Sequence, residues 1–124
     1  MKLDHINIRA PRELLEREKA FFCEVLGLHE GPRPGFGNYG YWLYADDDAV
    51  VHLSESSAPL DDDAQGCFNH VAFRSSGLQD LIRSLERAGI RHSVSFLEDR
   101  DMTQVFFRAP SNTRIEVNFI GEKV

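Results

Sequence analysis

The sequence predicts an α+β fold built from two βαβββ modules, and three observations carry that reading. Leu3-Asp4-His5-Ile6-Asn7-Ile8 has a near copy, Phe68-Asn69-His70-Val71-Ala72-Phe73, 65 residues further on. Val51-His52-Leu53 is matched by Ile115-Glu116-Val117, 64 residues further on. Gly27 and Gly89, 62 residues apart, each close a helix-like stretch. A near-constant offset between unlike features marks a duplicated unit.

The first module spans about 1–54. Residues 2–9 alternate as a strand, and Pro11 is a good first helical residue. Leu14, Leu15, Phe21, Phe22, Val25 and Leu26 then recur at helical spacing, with Glu13, Glu16, Arg17 and Lys19 opposite them. Gly27 ends that helix. The Gly/Pro-rich segment 31–38 holds at most an irregular edge strand. Residues 39–45 and 49–54 read as strands joined by a turn at Asp46-Asp47-Asp48. Residues 55–66, rich in Ser, Pro, Asp and Gly, form the linker to a second module at about 67–120. There a strand at 67–74 precedes a helix at 77–88, whose buried stripe is Leu78, Leu81, Ile82, Leu85 and Ala88. Strands at 90–97, 102–108 and 113–120 follow, the last two joined by the turn Ala109-Pro110-Ser111-Asn112.

At 124 residues the chain suits one domain, and each half alone would be marginal. A hydrophobic fraction of 42% and a charged fraction of 27% belong to a globular protein. With net charge −6, a phosphate backbone is a poor partner, so no nucleic acid is expected. No apolar run approaches the roughly 20 residues of a membrane span, and no signal-like start is present, so a cytoplasmic location is expected. The acidic runs 46–48 and 61–63 read as solvated loops. Cys23 and Cys67 read as reduced thiols rather than a disulfide framework. A Cys67/His70 half-site is discarded, because an odd offset on a strand sends the two side chains to opposite faces.

Alternation aims the remaining polar residues. Ile6 and Ile8 form one face of the first strand, and His5 and Asn7 the other. Val71 and Phe73 oppose His70 and Ala72. Val51 and Leu53 oppose His52, while Ile115, Val117 and Phe119 oppose Arg114, Glu116 and Asn118. His5, His52, His70 and Glu116 therefore lie on the faces turned away from the helices, at equivalent places of a repeat. That joint arrangement favours metal ligation over four unrelated polar residues. Three imidazoles and a carboxylate suit Fe, Mn, Ni, Co or Zn as divalent ions without choosing among them. His29 and His92 lack such an arrangement and read as solvent-facing.

Four segments carry a family resemblance along the whole chain: Asp-His-Ile-Asn-Ile at the start, Phe-Phe-Cys-Glu-Val-Leu-Gly-Leu at the first helix end, Asn-His-Val-Ala-Phe at the restart, and Ala-Pro-Ser-Asn-Thr-Arg-Ile-Glu-Val near the end. The last is similar to the Asp-Pro-Gly-Asn-hydrophobic-Glu close common in the vicinal oxygen chelate superfamily, with Ser111 where Gly is usual. That superfamily includes glyoxalase I, extradiol dioxygenases, fosfomycin-resistance enzymes and bleomycin-binding proteins. The resemblance implies two βαβββ modules in a curved, partly open mixed-sheet barrel. It also implies a homodimer in which both chains line each metal cleft, His5 and His52 coming from one subunit and His70 and Glu116 from the other; pairing within one chain is also permitted.

The resemblance further implies a divalent metal ion that chelates vicinal oxygens of a small-molecule substrate, in lyase, isomerase or dioxygenase form. Glyoxalases carry Glu where this chain has His52, so Glu116 is the carboxylate left for proton transfer, and His52 is either a ligand or a base. His5, His70 and Glu116 make a 2-His-1-carboxylate set of the kind that leaves positions open for substrate. A fosfomycin-type transferase is an alternative, weakened by few basic residues for a phosphonate, although Arg9, Arg74 and Arg114 share strand faces with the ligand candidates. A non-catalytic, bleomycin-resistance-like binder is another. Asn7, Phe36, Tyr41 and Arg114 are the expected substrate contacts, with Phe36, Tyr39, Tyr41 and Trp42 forming an aromatic lid.

Overall fold

A computed structural model describes residues 1–35, 37–57 and 68–124. The chain divides into two compact units, Met1–Ala64 and Gln65–Val124. Among the described residues no helix is long and apolar enough to cross a membrane.

The first unit runs β1 (Ile6–Ala10), α1 (Arg12–Glu24), β2 (His29–Gly31), β3 (Gly40–Ala45) and β4 (Asp48–Glu55). Its four-stranded mixed sheet has the order β1-β4-β3-β2, with β1 parallel to β4 and the other pairs antiparallel. The second unit repeats the plan: β5 (Val71–Arg74), α2 (Leu78–Arg87), β6 (His92–Leu97), β7 (Met102–Arg108) and β8 (Arg114–Ile120), in the order β5-β8-β7-β6. The expected α+β fold of two βαβββ modules is therefore observed.

Helix ends follow the glycines. After α1, the Leu28 amide donates to the Phe22 carbonyl at 3.1 Å across Gly27, which takes a left-handed φ of 73°. After α2, Ile90 donates to Leu85 at 2.9 Å across Gly89 (φ 67°). Each closure satisfies carbonyls that the helix end would leave orphaned. The faces alternate as the sequence requires. Leu43, Val51 and Leu53 are buried with Leu15 and Phe22 in the first unit, and α1 packs on β1, β3 and β4. Leu78, Leu85, Val105, Ile115, Val117 and Phe119 are buried in the second.

Two boundaries differ from the expectation. The first strand begins at Ile6 rather than residue 2, because its ladder with β4 begins at the Ile6–Val51 pair, and the polar residues before it stay exposed. β5 begins at Val71, in register with Ile115. His5 and His70 thus stand one residue ahead of their strands, where backbone pairing does not constrain them. The expected edge strand in the Gly/Pro-rich segment lies earlier, at His29–Gly31. Residues 58–66 of the expected linker, and Cys67, lie outside the described residues.

The N-terminus of α2 is capped from a distance. The Gly77 and Leu78 amides donate to the two carboxylate oxygens of Glu122, at 3.0 and 2.8 Å, and the Glu122 carbonyl accepts from the Thr103 hydroxyl. A carboxylate here answers two orphan amides and the positive end of the helix. Glu122→Ala is expected to cost about 1 kcal/mol, seen as a lower urea midpoint with an unchanged slope.

Candidate metal and substrate site

Equivalent strand registers place equivalent residues. In the first unit Asn7, two residues after His5, pairs with His52. In the second, Ala72, two residues after His70, pairs with Glu116. On the far side of each last strand, Trp42 pairs with His52 and Phe106 with Glu116. Each module so gathers a His and a second candidate ligand beside an aromatic ring.

In the second unit the hydrogen bonds fix which nitrogen of His70 carries hydrogen. The Arg114 guanidinium donates to Asn69 Oδ1 at 2.8 Å, and since arginine only donates, that atom is an acceptor. His70 Nδ1 lies 2.7 Å from the same oxygen, so it must be the N–H. His70 Nε2 then faces Glu116 Oε2 at 3.0 Å. A bare lone pair against a carboxylate oxygen at that distance is repulsive, so the two atoms share either a proton, carried by one or the other, or a metal ion. Glu116 is buried, and its other oxygen accepts from Gln104 Nε2 at 2.8 Å. Asn69 and Gln104 thus aim the two facing atoms, as outer partners of metal ligands do. The Arg114 guanidinium also lies over the Phe106 ring, 4.7 Å from its centroid.

In the first unit the rings stack. His5 and His52 lie face to face with centroids 3.8 Å apart, and Trp42 covers the other face of His52 at 4.0 Å. His5 Nδ1 donates to the Asp4 carboxylate at 2.7 Å, so Nε2 is the nitrogen that remains for another partner. This bond holds the Asp4 carboxyl below its usual pKa. His52 Nε2 donates to the Ala49 carbonyl at 3.1 Å, leaving Nδ1 as its lone pair. Burial, then the neighbouring His5, lowers the His52 pKa, which favours its neutral form. Neutral nitrogens are what a metal or a proton needs.

The expected residues sort as follows. Asn69 Oδ1 accepts from both His70 and Arg114, and His70 Nε2 faces Glu116. His5 and His52 are brought together, and Asn7 adjoins them, its Oδ1 accepting from Ser54 at 3.3 Å. Tyr41 does not join this group. It pairs with Leu53 on the helix-facing side, and its hydroxyl donates to Glu16 at 2.6 Å. Burial and that bond push its phenol pKa well up. Tyr39 also donates to Glu16, so of the expected lid only Trp42 lies on the His52 side; Phe36 is outside the described residues. Among the described residues no three His, Cys, Asp or Glu side chains form one metal-holding group. Asp4, Asn69 and Gln104 were not among the expected site residues. The first two were visible as the residue before each repeated His.

Neither a protein-family model nor a curated protein matches this sequence. Solved structures do. A protein assigned to the glyoxalase family from Bacillus anthracis aligns over 97% of this chain and 95% of its own, with TM-score 0.76 and 21% identity. A glyoxalase/bleomycin resistance protein/dioxygenase domain from Frankia covers 96% and 97%, with TM-score 0.75 and 18% identity. The chain shares the fold of these proteins. A mutant of the fosfomycin resistance protein FosX from Listeria monocytogenes, complexed with Mn(II) and dihydroxypropylphosphonic acid, shares this fold at TM-score 0.72 and 12% identity, over 96% and 92% of the two chains.

The low pKa of His52 has a consequence for pH. Its folded value lies below the ordinary 6.5, so the unfolded chain takes up the proton more readily. The stability that neutral His52 supports is present above about pH 6.5 and declines as pH falls through that value. In metal-free protein, His52→Gln is expected to flatten the fall in unfolding free energy as pH drops below about 6.5, measured by urea titration at each pH.

Proposed function

We propose that the protein is a cytoplasmic, single-domain, homodimeric enzyme that uses a divalent metal ion to act on vicinal oxygens of a small substrate. The observation that carries this reading is the facing of His70 Nε2 and Glu116 Oε2 at 3.0 Å, with the His70 tautomer set by Asn69 and Arg114. The residues fit a borderline divalent ion: imidazoles and one carboxylate, each held by a further hydrogen bond. His70 and Glu116 are the core ligands, and His5 completes a 2-His-1-carboxylate set. His52 adds either a fourth nitrogen or a base.

The ion would supply Lewis-acid polarisation of the chelated oxygens. The chain's own residues supply the rest. His52 Nδ1, held neutral, can accept a proton, while its Nε2–H bond to Ala49 fixes the ring edge. Gln104 keeps one Glu116 oxygen occupied and so directs the other. Arg114 stands beside this pair as a donor for an oxygen of the substrate. The Listeria protein's complex with Mn(II) and a dihydroxy acid supports a divalent ion acting on paired oxygens, in lyase, isomerase or dioxygenase form. A binder of the bleomycin-resistance kind would have no use for the Asn69–His70–Glu116–Gln104 chain.

Metal analysis tests this. Tag-free protein purified without chelator is expected to hold, or take up, Mn(II), Fe(II), Ni(II), Co(II) or Zn(II). His70→Ala and Glu116→Ala should abolish uptake. Asn69→Ala and Gln104→Ala should weaken it about 10- to 100-fold, as loss of an outer partner does. Absence of uptake of all five ions by the unaltered chain would overturn the enzyme reading and favour the binder.

A further inference from the structure

The first unit holds a second chemistry beside His52. An open cleft of about 480 Å³ is walled by the Trp42 and His52 rings, and Arg9 and Arg33 both line it. No carboxylate is among its described lining residues. In a chain with formal net charge −6, two guanidiniums around one opening run against the overall composition, and the adjoining cavity that shares Trp42 and His52 is instead lined by Asp4, Asp47 and Asp48.

The guanidinium of Arg33 is held in place. It donates to the Asn38 carbonyl and to Asn38 Oδ1, both at 2.9 Å. It also lies against Gly40, where a Cβ would come within 2.9 Å of Nη2 and would collide with the Leu53 carbonyl. A glycine at 40 lets β3 pass that carbonyl and lets the guanidinium occupy the space. A cation fixed in this way loses little rotamer freedom when it takes a ligand. Arg9 projects from β1 on the same face as Asn7 and makes no ion pair among the described residues.

The neutral groups are oriented in the same sense. Arg33 can only donate, so Asn38 presents its oxygen to it and keeps its NH₂ for another partner. Ser54 donates to Asn7 Oδ1 at 3.3 Å, which again leaves the amide NH₂. Two guanidiniums and two amide NH₂ groups make a cleft of donors.

We propose that this cleft binds an oxyanion group of the substrate, a phosphate, phosphonate or carboxylate, with Arg9 and Arg33 as charge partners and Asn7 and Asn38 as neutral donors. The bound group would orient the rest of the molecule along the Trp42–His52 wall. This gives the metal-dependent enzyme proposed above a substrate of defined charge, and it rests on that reading for the occupant being a substrate.

Binding itself is testable without metal. Trp42 is the only tryptophan of the chain and borders the cleft, so its emission reports occupancy. Metal-free full-length protein is titrated with inorganic phosphate, methylphosphonate and acetate against a chloride background of constant ionic strength. A saturable change with at least one of the three is expected. Phosphate and methylphosphonate ahead of acetate assigns a tetrahedral anion, and the reverse order a carboxylate. Arg9→Gln and Arg33→Gln should each weaken binding about tenfold or more, the loss of a charge-assisted hydrogen bond. Arg108→Gln, in the second unit, should leave it unchanged. If Arg33→Gln does not fold, as judged by circular dichroism, Arg9→Gln decides. A response no greater than that to chloride, or an affinity that Arg9→Gln leaves intact, overturns the anion cleft. Metal uptake by the same preparation keeps the two readings separable, since either can fail while the other stands.

Discussion

Parallel pairing of the first and last strands of each module is the constraint on which the rest depends. A parallel pair cannot be joined by a tight turn, so a long crossover must separate its strands. In both units that crossover contains the helix and the two intervening strands. The pairing also fixes a register, Asn7 with His52 and Ala72 with Glu116, and a slip of one residue would send His52 or Glu116 into the apolar layer under the helix. Burial of Val51, Leu53, Ile115 and Val117 on the helix side holds the register. The core thereby positions the site without contributing an atom to it.

Duplication gave both modules the same scaffold and let their chemistry diverge. The second carries a His–carboxylate pair that calls for a cation. The first carries two imidazoles and an indole in a stack, with hydrogen bonds that hold each ring nitrogen in a known role. The residue before each leading His, Asp4 or Asn69, performs one task in both: it accepts Nδ1–H and so frees Nε2. Asp4 brings a negative charge to that task, whereas Asn69 is neutral and is itself bound by Arg114.

Much of this was legible in the sequence because it rests on periodicity. The repeat offset, the helical stripes closed by Gly27 and Gly89, and the strand parity of His52 and Glu116 are all local or repeated features. Tyr41 shows where local reading stops. Parity within β3 separates Tyr41 from Trp42, but only the register with β4 tells which of the two shares a face with His52. The same holds for the start of β1. The alternating pattern extends back to residue 2, yet the ladder ends where β4 offers no further partner, and that is a property of two strands together.

Arg33 was the least legible of all. It lies in a Gly/Pro-rich segment with no period, and its neighbours Asn38 and Gly40 follow it by five and seven residues across an irregular stretch. Its placement depends on the absence of a side chain at Gly40, an absence the sequence shows but does not explain. Once the structure supplies the Leu53 carbonyl on the far side of that gap, the glycine has two physical reasons: the close approach of two strands, and room for a guanidinium against them. A substitution at Gly40 would strike both. It would press on the β3–β4 ladder that aligns Trp42 with His52, and it would displace the cation that faces the same cleft, so the aromatic wall and the anion-binding groups stand or fall on one missing methyl group.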